Sequence, residues 1–336
     1  MHKFIQNLFV ALFITALPSL AHAAFLGVQT VHYQDRTNPR PLVADIYYLT
    51  NESEGAERPI SPMMMAERIR NASLAPSTKP YPLIILSHGY GGSREHLSWL
   101  AEGLSQQGFI VAALDHFGNT STFDTPRIAL QRWLRPHDVT AFLDHFLKDP
   151  QWKNHIDSNR IGFAGFSLGG LTGVWLAGGV ADQFEKPVIG KSSLYELARF
   201  ATTADIDSID YTQAKQSYKD SRIKASFLMA PAHGQSFSAI GLSSIDIPVL
   251  IVAVEKDMIT PLTTNAAHYQ AHIANAEIYV FKGPLSHLAF RNSINPAKVS
   301  CADPHEFQME HGDDVQSLHQ STLKKATLFF KEKMKL

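Results

Sequence analysis

The stretch Arg160–Gly170, RIGFAGFSLGG, decides how the chain is read. An apolar run enters a serine framed by glycines and leaves into small residues, SLGGLTGVWLAGG, suited to a helix. Gly165-Phe166-Ser167-Leu168-Gly169 fits the pattern G-x-S-x-G. When a strand turns directly into a helix, the residue at the bend takes a strained backbone conformation. Side chains two places before and two places after it would collide, so glycine is required at both. The helix that follows points its first N–H groups toward the serine. The plain alternative is a turn serine in a glycine-rich bend. The sequence on either side argues against it.

Upstream, the segments GVQTVHYQD and LVADIYYLT read as strands, because β-branched and aromatic residues fill them and turn residues separate them. A polar excursion from Asn51 to Lys79 follows, with a short helix expected around Ala66 to Asn71. Then strands and helices alternate. YPLIILSHG, FIVAALDH and RIGFAGF read as buried strands. REHLSWLAEGLSQQG and PHDVTAFLDHFLKD read as the helices between them, the second with Pro136 in its first turn. After Ser167 come the strands IKASFLMAPA, IPVLIVAVEKD and AEIYVFKG, the helix TTNAAHYQAHIA, and a closing amphipathic helix, DDVQSLHQSTLKKATLFFKEKM. Strands without polar alternation are covered on both faces. Their alternation with helices predicts an α/β fold, a mostly parallel central sheet with helices on both sides. The polar, aromatic-bearing segment from about 179 to 222 breaks the rhythm and is expected to form a small cap-like insertion.

A serine needs a base, and the base needs an orienting acid. In this topology both should follow the serine at later strand ends. IPVLIVAVEKD ends at Asp257, and His287 lies just beyond the last strand. The expected order is therefore Ser167, Asp257, His287, with Glu255 the rival acid and His233 the rival base. Acyl transfer also needs donors for a developing oxyanion. LSHGYGG, residues 86–92, supplies a glycine-rich turn in which the N–H of Tyr90 and the N–H of Leu168 are the expected pair. Gly91 and Gly92 let the backbone come close, and His88 is expected to be a structural partner inside the turn. Phe117 and Phe166 are candidates for the substrate pocket. The turn has neither a Lys-Ser/Thr ending nor G-x-G-x-x-G, so it is not a nucleotide loop.

These pieces resemble the α/β-hydrolase superfamily: HGYGGSRE, ALDHFGNT (113–120), GFSLGG, APAHGQSF (230–237), the strand ending in EKD, and SHLAF. Within it, the chain is most similar to the bacterial predicted dienelactone hydrolase group, itself similar to platelet-activating-factor acetylhydrolases. The likeness runs from about residue 28 to the end. It implies Ser167 as nucleophile, His287 as base and the Tyr90 and Leu168 amides as oxyanion hole. Two departures matter. Dienelactone hydrolases use cysteine where this chain has Ser167. Animal platelet-activating-factor acetylhydrolases carry the acid after an earlier strand, where this chain reads FLMAPAHGQSF without a carboxylate, so Asp257 is preferred.

Bulk properties fit this reading. The 336 residues carry a formal net charge of -1, with 45% hydrophobic and 18% charged, which gives no electrostatic reason to expect nucleic acid. The start, MHKFIQNLFVALFITALPSLAHAAF, has a basic residue, an apolar run, Pro18 and Ala21-His22-Ala23. It predicts a signal peptide over 1–23, cleaved after Ala23, a hydrolase domain over 24–336, and a periplasmic or secreted protein with no stable membrane span. The single cysteine, Cys301, excludes an internal disulfide. The expected activity is carboxylic-ester hydrolysis, on short-chain or phospholipid acyl esters, with neither metal nor organic cofactor. A serine peptidase of the same fold would need an amine-binding acidic pair, for which Glu185 and Glu196 are the available residues. A non-catalytic binding module would lack one of the catalytic elements. Oligomeric state has no signature in the sequence.

Overall fold

A computed structural model describes residues 25–34, 40–57, 67–188, 201–292 and 313–336. The predicted leader, Cys301 and Glu196 lie outside the described residues. Among the described residues, ten strands form one sheet in the order β10-β9-β8-β7-β5-β6-β2-β1-β4-β3. The parallel part comprises β5 (Tyr81–Ser87), β6 (Ile110–Leu114), β7 (Ile156–Phe166), β8 (Ile223–Met229), β9 (Val249–Val254) and β10 (Ala276–Phe281). β2 (Leu42–Thr50) runs antiparallel to both β6 and β1 (Phe25–Tyr33). The edge beyond β1 is made by β4 (Arg68–Arg70) and the two residues of β3 (Ala56–Glu57). This is the mixed, mostly parallel α/β architecture that the alternating pattern predicts.

Each central strand feeds two cores, because successive side chains point to opposite faces. In β6, Ile110, Ala112 and Leu114 enter one core, and Val111 and Ala113 enter the other. The first core is covered by α3 (Leu134–Phe146), α4 (Leu168–Ala177), the short α6 (Ala239–Leu242) and α7 (Ala266–His272). The second is covered by α1 (Ser98–Gln106) and α8 (Asp313–Lys333). No helix among the described residues is long and apolar enough to cross a membrane.

One expectation is corrected. The 66–71 stretch carries the strand β4 rather than a short helix. Three residues cannot repay helix nucleation alone, whereas the edge of β1 offers ready hydrogen-bond partners. Ile69 pairs with Gly27 and Arg70 with Val28. Arg68 is buried, and its Nη1 donates to the Tyr47 hydroxyl at 3.1 Å.

The site owes its location to strand order. β5 lies between β6 and β7, so the chain leaves β5 in one direction and returns on its other side. Open α/β sheets bind ligands at such a switch point, beyond the carboxyl ends of the strands. Here those ends carry HGYGG after β5 and Ser167 after β7.

Between α4 and β8, α5 (Thr203–Asp207) packs on α2 (Pro126–Leu130), and Arg127 Nε donates to Ser208 Oγ at 3.0 Å. Phe184 stacks near Tyr211, and both rings meet Trp133 edge-on.

The closing helix buries Phe330 among the residues it adds to the second core. Its ring is fully buried against Phe109, Phe227 and Phe329 and fills the space above Gly162. Phe330→Ala should lower unfolding free energy by about 3–5 kcal/mol, measured by urea denaturation. A loss below about 1 kcal/mol would mean that α8 is not integral to this core.

Candidate active site

Ser167 stands between the last residue of β7 and the first of α4, at φ 56° and ψ −113°. A positive φ on a residue with a side chain is a strained conformation that only its surroundings can hold. They do so on both sides. Ser167 N–H donates to Met229 O at 2.9 Å, and Ser167 O accepts from Leu171 N–H and Ala232 N–H. The glycines make the bend possible. A Cβ on Gly165 would fall 2.2 Å from Gly169 O, and one on Gly169 would fall 2.1 Å from Ser87 O.

Asp257 and His287 form a directional pair. His287 Nδ1 lies 2.7 Å from Asp257 Oδ2, both side chains being buried. Asp257 is an acceptor four times over: its Oδ1 takes Ile259 N–H and Thr260 N–H, and its Oδ2 takes the Thr260 hydroxyl and the imidazole. Burial opposes the charge, but the His287 and Thr260 bonds outweigh it and hold the carboxyl below its ordinary range. With Nδ1–H committed to the carboxylate, Nε2 is the nitrogen available to accept a proton. The imidazole packs on Phe166, the residue before Ser167, with ring centroids 4.7 Å apart.

The rival residues sit elsewhere. Glu255 is exposed. His233 is in the left-handed region at φ 63° and stacks on Phe184, and burial beside Arg132 drives its pKa well below 6.5. Glu185 is exposed, so the described residues include no buried acidic pair from that segment. Phe166 backs the imidazole. Phe117 turns to Phe123, at 5.1 Å, and lies under the Arg40 guanidinium, which places it beside α3 rather than against the His287 ring.

Gly89 borders the serine: a Cβ there would be 3.3 Å from Ser167 Cβ and 3.1 Å from the Phe166 ring. Next in the chain is Tyr90, whose hydroxyl donates to Asp124 Oδ2 at 3.1 Å. His88 fills the expected structural role. Its Nδ1 donates to Gly89 O at 2.6 Å, and its Nε2 accepts the His116 N–H at 3.3 Å. Leu168 is the first residue of α4, where N–H groups have no partner within the helix.

Three groups escaped the sequence reading. Thr260 braces the acid. Arg135, only 3% exposed, donates to His88 O and Gly89 O. A second serine–histidine–aspartate set joins Ser87 Oγ, 2.8 Å from His116 Nε2, to His116 Nδ1, 3.0 Å from Asp138 Oδ2. Its serine is fully buried, and Asp138 is also held by Arg40 through Nε and Nη2 at 2.8 Å each. It is a strut between β5 and α3, without room for substrate. Arg135 has no local signature, since its partner carbonyls lie 46 and 47 residues away, and the buried set joins residues 29 and 22 apart, whereas Thr260 stands only three residues from the carboxylate it braces.

Comparison with known proteins finds partial sequence likenesses and a shared fold. Residues 60–127 match the family described as platelet-activating factor acetylhydrolase, isoform II. Cutinase est1 of Thermobifida alba is 34% identical over 92 residues, covering 27% of this chain and 28% of that protein. Cutinase 2 of Thermobifida cellulosilytica is 24% identical over 188 residues, covering 55% and 52%. The chain thus aligns with between about a quarter and a half of the length of these relatives. The solved ferulic acid esterase from Streptomyces cinnamoneus superimposes with a TM-score of 0.61, over 95% of this chain and 92% of that one, at 19% identity. The shared feature at that identity is the fold.

The site region also contains buried neutral histidines. Burial, with Arg135, pushes His116 down to about 4 despite the opposing Asp138. Burial pushes His319 down to about 4 against its bond to Ala289 O, and pushes His96, beside Arg291, down to about 3. Unfolded, these histidines take up protons below about pH 6.5. Folded, they stay neutral until about pH 4. Acid therefore favours the unfolded chain, and stability is lost as pH falls from about 6.5 toward 4. The melting temperature should drop by about 5 °C or more between pH 7 and pH 5, and His319→Gln should flatten the slope. A melting temperature constant across that interval would refute the neutral burial.

Proposed function

We propose that this chain is a serine carboxylic-ester hydrolase of the α/β-hydrolase superfamily, a reading supported by the matched family segment and the shared fold. The observation that carries the reading is the 2.7 Å Asp257–His287 bond, its imidazole packed on Phe166, the residue before a serine held at positive φ. In the proposed reaction His287 Nε2 takes the Ser167 proton as Oγ attacks the ester carbonyl. The negative oxygen of the tetrahedral intermediate is received by the N–H groups of Tyr90 and Leu168. His287 then protonates the leaving alcohol, and water repeats the sequence on the acyl-enzyme. Asp257 stays ionised throughout, because four donors stabilise its charge. It fixes the tautomer and offsets the imidazolium. The proposed mechanism needs no metal or organic cofactor.

The substrates proposed are short-chain or phospholipid acyl esters, in keeping with the names borne by the matched family and relatives. The leader-like sequence over 1–23 supports export to the periplasm or the exterior. The segment around 179–222, whose Phe184 and Tyr211 pack against Trp133, is proposed as the cap that shapes the pocket.

Ser167→Ala should reduce turnover of p-nitrophenyl butyrate by at least about 10³-fold, with His287→Ala comparable. Near-native turnover by Ser167→Ala would refute the proposal. Asp257→Asn leaves an amide in place of the charge and should lower kcat by about 10⁴-fold if the tautomer is as proposed. Thr260→Val removes one of the four donors and should have a smaller effect, about 10- to 100-fold, as expected from one lost hydrogen bond to a charged group. A panel of acyl-chain lengths on the same protein would define the substrate class.

A further inference from the structure

Arg135 is the second residue of α3, at the positive end of the helix dipole, where a cation is disfavoured. It is also buried, at 3% exposure. Burial and the neighbouring Arg132 and Arg40 disfavour its charge, and Asp138 supports it. A cation in so unfavourable a place must be held by what it binds. Its Nη1 donates to His88 O at 2.7 Å, and its Nη2 donates to Gly89 O at 3.0 Å and to Asn119 Oδ1 at 2.6 Å. The planar fork thus grips two consecutive backbone carbonyls of the turn that borders Ser167.

The Gly89 carbonyl is the informative one. It also receives His88 Nδ1–H at 2.6 Å and Gly92 N–H at 3.3 Å. Three donors fix the direction of that C=O. No described peptide bond is cis, and in a trans peptide the C=O and the next N–H point opposite ways. Fixing Gly89 C=O therefore fixes Tyr90 N–H, directed away from the guanidinium. Gly89 itself lies against Ser167, so this peptide plane stands at the edge of the nucleophile.

We infer that Arg135 is a positioning residue for the oxyanion hole: by clamping the His88 and Gly89 carbonyls it holds the Tyr90 amide toward the reacting carbonyl oxygen. The inference rests on the ester-hydrolase reading and deepens it. Arg135 touches no reacting atom. Its effect passes through one peptide plane, so it acts on the charged intermediate rather than on bound substrate. Lysine cannot replace it fully, since an ammonium is a point donor and cannot span two carbonyls with one planar fork.

The test compares wild type, Arg135→Met and Arg135→Lys on p-nitrophenyl butyrate and its thionoester, with Ser167→Ala as control. Sulfur is a weak hydrogen-bond acceptor, so an intact oxyanion hole favours the oxoester and a disordered one loses that preference. Arg135→Met should lower kcat on the oxoester by about 100-fold with KM within about 3-fold, the scale of one lost oxyanion donor. Its oxo-to-thiono rate ratio should fall toward one, and Arg135→Lys should lie between. If Arg135→Met does not fold, Arg135→Lys alone decides by its ratio. Equal proportional losses on both substrates, or an unchanged ratio in the lysine variant, would overturn the inference and leave the ester-hydrolase reading standing. Turnover retained by Ser167→Ala would instead overturn that reading.

Discussion

The contact between Gly169 and the Ser87 carbonyl is the constraint on which the site depends. There is no room at Gly169 for even one carbon atom, because its Cβ would sit 2.1 Å from Ser87 O and 3.0 Å from His88 O. The start of α4 is thereby pressed onto the end of β5. This joins the strand that carries the serine to the turn that carries HGYGG. A β-carbon at Gly169 would have to push against backbone on both sides, which packed cores do not accommodate. The positive φ of Ser167 follows from the same geometry. The chain must leave β7 and enter α4 within one residue, and the bonds to Met229 and Ala232 hold it in that conformation. Strain of this kind costs on the order of 1–3 kcal/mol and persists where neighbours overdetermine it.

Around this contact lies a polar network that is nearly dry. Ser87, His88, His116 and Asp138 are each at most 1% exposed. Buried polar groups stabilise a fold only when they are satisfied, and here the chain of donors closes. Arg40 and His116 donate to Asp138, Ser87 donates to His116, and His88 accepts the His116 amide while donating to Gly89 O. Neutral histidines suit this arrangement, because each then offers one donor and one acceptor. The network secures the turn after β5 from beneath, as α4 secures it from the side.

The sheet and most of its helices were legible because they depend on periodicity. Apolar runs without alternation, such as FIVAAL and IPVLIVAV, can be satisfied only between two layers of helix. The bend at Ser167 was legible because a strand that turns directly into a helix requires glycine at fixed offsets. Asp257 and His287 could be chosen over Glu255 and His233 from their places after the later strands, and they are the two that lie in contact. Arg135 was not legible. It precedes the proline that marks a helix start, and its partners are carbonyls, which carry no side-chain signal. The contact of Phe117 with Arg40 was not legible either, since it joins residues 77 apart in sequence. The strand at 68–70 was missed because an edge pairing is supplied by the partner, not by the three residues themselves.

The site therefore has two parts with different mechanical footing. Ser167 and the HGYGG turn are attached to β5 and β7, in the middle of the sheet, and are fixed by backbone contact. Asp257 and His287 follow β9 and β10, at one edge, and are fixed by side-chain hydrogen bonds. A group that must donate to a developing charge gains from rigidity, since reorientation during the reaction would forfeit its advantage. A base that must accept a proton and then deliver it to another oxygen needs a fixed tautomer but some freedom of position. With the proposed oxyanion peptide on the sheet centre and the proposed base on an edge loop, its ring packed on Phe166, one fold would meet both requirements of the proposed reaction.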